Sequence, residues 1–265
     1  MTRITIGQYY PADSVIHRLD PRIKLGGVLI YIMSLFFVNS FWGYGIAAIF
    51  LGLIIWLSKV PPLMILRGLR AVLFVLSFAI LINLFMTPGQ QVLFQFGFIR
   101  ITAEGLQMAG EMAARLILLI AGSSILTLTS SPIQLTDGIE ALLRPLNVIK
   151  VPAHDIAIMM TITLRFIPIL ADEVGKIMNA QKARGADLDT GGFIKRAKSL
   201  IPILVPLFVS AFKRADELAT AMEARCYRGD VGRTRMKEMR VTRVDLIAAG
   251  IMIVYAMILF STRFM

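Results

Sequence analysis

The chain has 265 residues, 57% of them hydrophobic, with a mean hydropathy of +0.73 and a net charge of +11. That much apolar sequence excludes an ordinary soluble domain, and several windows reach the roughly 17 residues needed to cross a bilayer core. The positive charge is the kind that collects in cytoplasmic loops and orients a polytopic protein; with no basic run interleaved with aromatics, nucleic acid is not an expected partner.

The chain opens on an amphiphilic arm, residues 1–22, without the features of a removable signal peptide. Its end reads His17-Arg18-Leu19-Asp20-Pro21-Arg22-Ile23-Lys24-Leu25. Asp20 can cap the helix that follows, and Pro21 suits its first position. A first span is expected over 23–38, broken by Asn39 and Ser40. A second runs over 41–57, with Trp42, Tyr44 and Trp56 where interfacial aromatics sit. Residues 63–70 form a short basic connector, and a third span occupies 71–86. Val92, Phe94, Phe96 and Phe98 then alternate with other residues, a period-2 pattern that predicts a small hairpin on the outer surface. A fourth helix starts at the N-cap Thr102 and runs to about residue 129. It carries Glu111 and Arg115 one turn apart, an intramembrane ion pair. Charges inside a span point to function by default. Self-neutralisation at i,i+4 is the preferred reading here, because the partner is already present.

Residues 131–243 change character. An amphipathic helix over 132–147 places Leu135, Ile139, Leu142 and Leu143 on one face. A helix over 153–184 is apolar up to Leu170, kinked at Pro168, then polar. After a turn over 186–192, a second long helix, 193–225, is apolar around Pro202 and Pro206 and polar at both ends. A basic loop, 226–243, leads to a last span over 246–260. Of 28 Lys and Arg, only Arg100, Arg115 and Arg263 fall outside segments on one face of the membrane if the N-terminus is inside. The positive-inside rule makes that face cytoplasmic. The fold class is therefore an all-α polytopic membrane protein: about five transmembrane helices plus a cytoplasmic coupling domain of long amphipathic helices. Residues 1–130 hold the arm and the first four helices, 131–243 the coupling domain, and 244–265 the last helix.

Catalytic constellations are missing. There is no phosphate-binding Gly-rich loop and no nucleophile elbow. His17 and His154 lack neighbouring ligands at metal spacing, and His154 reads as a cap-region residue. Asn83, in the third span, reads as an interhelical hydrogen-bonding residue. Cys226 is the only cysteine, so no intrachain disulfide forms. A stand-alone secondary transporter would need a midplane polar site on broken helices and an inverted repeat of spans, and neither is found.

What remains is a repeated cassette, Ala-x-x-Ala-Arg-small. It closes both long helices, as Ala180-Gln181-Lys182-Ala183-Arg184-Gly185 and Ala221-Met222-Glu223-Ala224-Arg225-Cys226. One arginine at a helix C-terminus is explained by the helix dipole. Two matched copies, each preceded by small alanines, fit docking points, where arginine makes a forked contact to a carboxylate.

Three passages, 17–25, 180–185 and 221–229, carry a likeness that covers nearly the whole chain. The sequence resembles the transmembrane T-component of energy-coupling factor transporters. The N-terminal passage, with Arg18, Asp20, Pro21, Arg22 and Lys24, is the most specific of the three. The resemblance implies that Ala183-Arg184-Gly185 and Ala224-Arg225-Cys226 each dock into one of two cassette ATPase subunits. It also implies a separate substrate-binding membrane protein as partner, with a vitamin or related micronutrient as cargo. No cofactor and no metal are implied in this chain, ATP and Mg being held by the ATPases. A dedicated subunit of a metal or biotin importer is equally consistent. Cys226 departs from the usual glycine, which leaves the form of its turn open.

Overall fold

A computed structural model of the chain describes residues 9–38, 40–87, 92–96, 99–145, 152–186, 192–229 and 241–262. The turn expected over 186–192 and most of the basic loop 226–243 fall outside these residues. The chain divides into two compact units, 7–139 with 239–265 and 1–6 with 140–238.

The larger unit begins with a single turn, α1 (Val15–Arg18), followed by α2 (Pro21–Phe37) and α3 (Phe41–Ser58). Next come α4 (Pro62–Met86), a hairpin of β1 (Val92–Phe96) and β2 (Ile99–Thr102), α5 (Ala103–Thr129) and most of α6 (Pro132–Leu143). The two strands pair antiparallel, as the alternating pattern predicts. Local chemistry explains where these helices start. Asp20 accepts a hydrogen bond from the backbone N–H of Arg22, with Pro21 at the first helical position of α2. Thr102 accepts one from Gly105 N–H and so starts α5. α4 turns by 61° between 62–70 and 72–85, where the basic connector meets the third span.

The core lies among α2, α3, α5 and the last helix, α9 (Arg243–Ser261). Tyr255 stacks on Phe50 at 4.0 Å and on Tyr31 at 6.0 Å. Tyr31 lies against Gly122 of α5, where a Cβ would sit 2.4 Å from the ring. Gly122→Ala is therefore expected to cost about 1–3 kcal/mol through overpacking, read as a lower unfolding temperature in detergent. Asn83 Nδ2 donates to Met112 Sδ of α5 at 2.9 Å, so the interhelical bond expected of it forms, with a thioether as acceptor.

The outward faces of these helices are apolar: Met33, Phe41, Trp42, Phe74 and Met257 all stand exposed. Lipid is the solvent for such faces. Among the described residues, α3, α5, α9 and also α7 (Ala153–Ala183) are long and apolar enough to cross a membrane, and the bent α4 makes a fifth. α2, with 17 residues, is about 25 Å long, less than the roughly 30 Å of a bilayer core.

The smaller unit is built on α7 and α8 (Phe193–Ala224), continuous helices of 31 and 32 residues despite Pro168, Pro202 and Pro206 in their interiors. Glu173 of α7 meets Arg214 of α8 at 3.4 Å, and Gln181 meets Pro202 at 3.2 Å. Moving forward along α7 moves the contact backward along α8, so the two helices run antiparallel. His154, at the start of α7, pairs with Glu140 at 3.2 Å.

Candidate functional site

Both cassettes end their helices in the same way. α7 stops at Ala183, with Arg184 as C-cap and Gly185 in the left-handed region at φ +83°. Ala186 N–H donates to Gln181 O and Gly185 N–H to Lys182 O, each at 3.0 Å. α8 stops at Ala224, with Arg225 as C-cap and Cys226 at φ +57°. Tyr227 N–H donates to Met222 O at 3.0 Å and Cys226 N–H to Glu223 O at 2.8 Å. These are two Schellman turns, in which crossed bonds tie off the last helical carbonyls. The turn that the absence of glycine left open is thus the same turn, with Cys226 held left-handed. That conformation costs a non-glycine residue about 1–2 kcal/mol. Cys226→Gly is expected to stabilise the end of α8 by about 1 kcal/mol, part of the gain being offset by the extra freedom of glycine in the unfolded chain. Slower amide exchange at positions 226 and 227 would show it.

In each cassette the alanines and the arginine are exposed: Ala180, Ala183 and Arg184 on α7, and Ala221, Ala224 and Arg225 on α8. Because the helices are antiparallel, the two arginines lie toward opposite ends of the pair. Arg225 is about 35 Å along α8 from the level of Pro202, where the end of α7 crosses.

The N-terminal passage does different work. Arg18 is at the surface, paired with Asp13 at 2.7 Å. Lys24 is buried, and its Nζ donates to the carbonyls of His17 (2.9 Å) and Thr129 (3.0 Å). Tyr10 N–H donates to Leu128 O at 2.9 Å. The last carbonyls of α5, which have no partners inside the helix, are thus taken up by the arm and by a lysine that also complements the helix dipole. His17 donates from Nε2 to Tyr10 O (3.0 Å) and accepts at Nδ1 from the Ser14 hydroxyl (2.7 Å). Burial pushes its pKa below the usual imidazole value, so the ring is neutral at pH 7. Asp20 N–H donates to Asp245 Oδ1 at 2.8 Å. Asp245 also accepts from Thr242, N–H and hydroxyl, closing the capping box that starts α9. The passage is a knot that joins α2, α5 and α9.

Known proteins carry the same plan. The sequence model of the CbiQ family, described as cobalt transport protein, matches residues 12–237. The energy-coupling factor transporter transmembrane protein EcfT of Ruminiclostridium cellulolyticum is 54% identical over 252 residues, covering 95% of this chain and 94% of its own. The chain belongs to the EcfT family. The EcfT proteins of Clostridium kluyveri and Streptococcus thermophilus are 57% and 44% identical, with 93% and 96% of this chain covered and 92% and 99% of theirs. As a member of the EcfT family, the chain is a multi-pass membrane protein and the transmembrane component of an energy-coupling factor transporter.

One sequence expectation is corrected within this EcfT chain. Glu111 and Arg115 do not pair. Arg115 donates from Nη2 to Tyr44 Oη (2.7 Å) and Val38 O (3.0 Å), and from Nε to Tyr44 Oη (3.1 Å). Glu111 instead accepts from Gln107 at 2.9 Å. Val38 ends α2 and its carbonyl lies beyond the helical ladder, so it is open to the guanidinium and to the Tyr44 hydroxyl, which donates to it at 3.2 Å. The partners of two further residues were not foreseen from the sequence. Asp245 had a faint signal, lying three residues after Thr242 in a capping-box pattern. Gln181 had one too: Pro206 falls four residues after Pro202, a spacing that strips a carbonyl of its helical donor.

Proposed function

We propose that this chain is the coupling subunit of an ATP-driven importer, linking ATP hydrolysis by two cytoplasmic ATPase subunits to substrate release from a separate membrane-embedded binding protein. The observation that carries this reading is the matched pair of exposed Ala-Arg turns at opposite ends of one antiparallel helix pair. Two equal ends set far apart suit two separate subunits better than one groove. Ala183-Arg184-Gly185 serves one ATPase and Ala224-Arg225-Cys226 the other. The alanines let a helix end lie close, and the arginine reaches a carboxylate in the groove. The N-terminus and both arginine ends are on the cytoplasmic side.

Between the ends, α8 offers an exposed apolar stripe: Ile201, Leu204, Val205, Phe208 and Phe212. A partner that itself lives in the bilayer fits that surface. Movement of the arginine ends travels along α7 and α8 to the stripe. The chain itself binds no ATP, metal or other cofactor, and hydrolyses nothing. A dedicated metal-ion importer is a second reading, favoured by the cobalt in the family description. Binding of several different substrate proteins by the one chain would count against it.

The test is co-purification in detergent with cassette ATPases from the same genome, wild type against Arg184→Glu and Arg225→Glu. Retention by the wild type and loss by both variants is expected. A folded wild type that purifies alone would overturn the proposal.

A further inference from the structure

Pro206 has no backbone N–H, so it cannot donate to the carbonyl four residues earlier in the helix. That carbonyl belongs to Pro202, also inside α8. It is met instead from the other helix: Gln181 Nε2 of α7 donates to Pro202 O at 3.2 Å. Gln181 lies three residues before Arg184, and its own carbonyl accepts from Arg184 N–H (3.1 Å) and Ala186 N–H (3.0 Å). One residue therefore does two jobs. Its backbone builds the turn that presents Arg184, and its side chain grips α8 beside the exposed Ile201, Leu204 and Val205.

We infer that Gln181 is a positioning residue for coupling: it latches the Arg184 end of α7 to the proline-opened carbonyl of α8, so that the docking turn and the apolar stripe move as one body. The inference rests on the coupling reading above and adds to it where motion crosses from one helix to the other. One feature supports a latch over an incidental contact. Pro206 withdraws the helix's own donor, so Gln181 supplies the Pro202 carbonyl with the bond that the residue four positions on would otherwise make. A second tie, Arg214 to Glu173, lies further along the crossing. The latch holds the end of the pair that carries Arg184.

Spin labels at Asn179 and Phe212, both exposed, test this in a Cys226→Ser background by pulsed electron-spin distance measurement. The protein is measured alone in detergent and assembled with the ATPases, with and without ATP and vanadate. With Gln181 intact, a single narrow distance is expected, unchanged by ATP and vanadate. Gln181→Leu is expected to lose the single distance and gain an ATP-dependent one, while still retaining the ATPases. Gln181→Leu with Pro206→Ala returns an N–H to the Pro202 carbonyl and so removes the merely structural consequence of the first change. The lost distance is expected to stay lost in this double variant. An unchanged distribution in Gln181→Leu overturns the latch, and so does full recovery in the double variant. Failure of the Gln181-intact protein to bind ATPases strikes the docking reading instead, and the detergent measurement still decides whether the latch exists.

Discussion

Arg184→Ala and Arg225→Ala are each expected to weaken ATPase binding by about 2–5 kcal/mol, roughly 30- to 5,000-fold in affinity. The magnitude comes from the groove. A carboxylate that loses its guanidinium partner stays desolvated, and the cost of leaving it unpaired exceeds the value of the bond itself. The isolated chain is expected to be barely affected. Both side chains are exposed, and both turns are made by backbone bonds that alanine retains. The dipole contribution of an exposed cation at a helix end is only a few tenths of a kcal/mol. So the two variants should unfold at the wild-type temperature while losing their partners. Lysine should restore only part of the affinity, since it keeps the charge and loses the fork. The sites lie about 35 Å apart along α8, so their effects on docking energy should add. Titration of ATPase onto immobilised complex components reads all of these. If affinity and unfolding temperature fall together, or neither moves, the arginines are helix-end charges and the docking reading is lost.

Lys24→Met is expected to be the most damaging single change to the fold. Its Nζ holds two carbonyls, those of His17 and Thr129, at a site that is 7% exposed. Each carbonyl left buried without a donor costs about 1–3 kcal/mol. Asp20 and Asp245 keep their own hydrogen bonds but lose a nearby cation. Two such carbonyls cost about 2–6 kcal/mol, a large part of the 5–15 kcal/mol by which a typical protein is stable. The ends of α1 and α5 would lose the side chain that joins them. Fluorescence-detected size exclusion should show little monodisperse protein. Arg18→Ala, in the same passage, should behave like the wild type, because its pair with Asp13 stands at the surface, where water and salt screen it. Equal expression of the two variants would remove the knot as the reason for this passage.

The difference between Arg18 and Lys24 also marks what sequence could and could not supply. The helices were legible because their causes are local. Apolar runs define the spans, Asp20 and Pro21 start α2, Thr102 starts α5, and Gly185 stops α7. The Ala-x-x-Ala-Arg cassettes were legible for the same reason: a helix end and its stop lie within six residues. The alternation from Val92 gave the hairpin. The partners were not legible where they come from elsewhere in the chain. Lys24 finds Thr129 across 105 positions, Asp20 finds Asp245 across 225, and Arg115 finds Tyr44 across 71. The expected Glu111–Arg115 pair failed on this point. An i,i+4 spacing makes a pair available, but packing put the end of α2 within reach and offered both the Val38 carbonyl and the Tyr44 hydroxyl that also donates to it. Gln181 repeats the lesson, since its amide has meaning only once the antiparallel crossing sets it beside Pro202. By itself the sequence determined the helices, their ends and the membrane class, because spacing and capping act within a few residues. Only the tertiary structure decided which buried polar groups meet, because each must find a partner once water is gone, and packing chooses that partner.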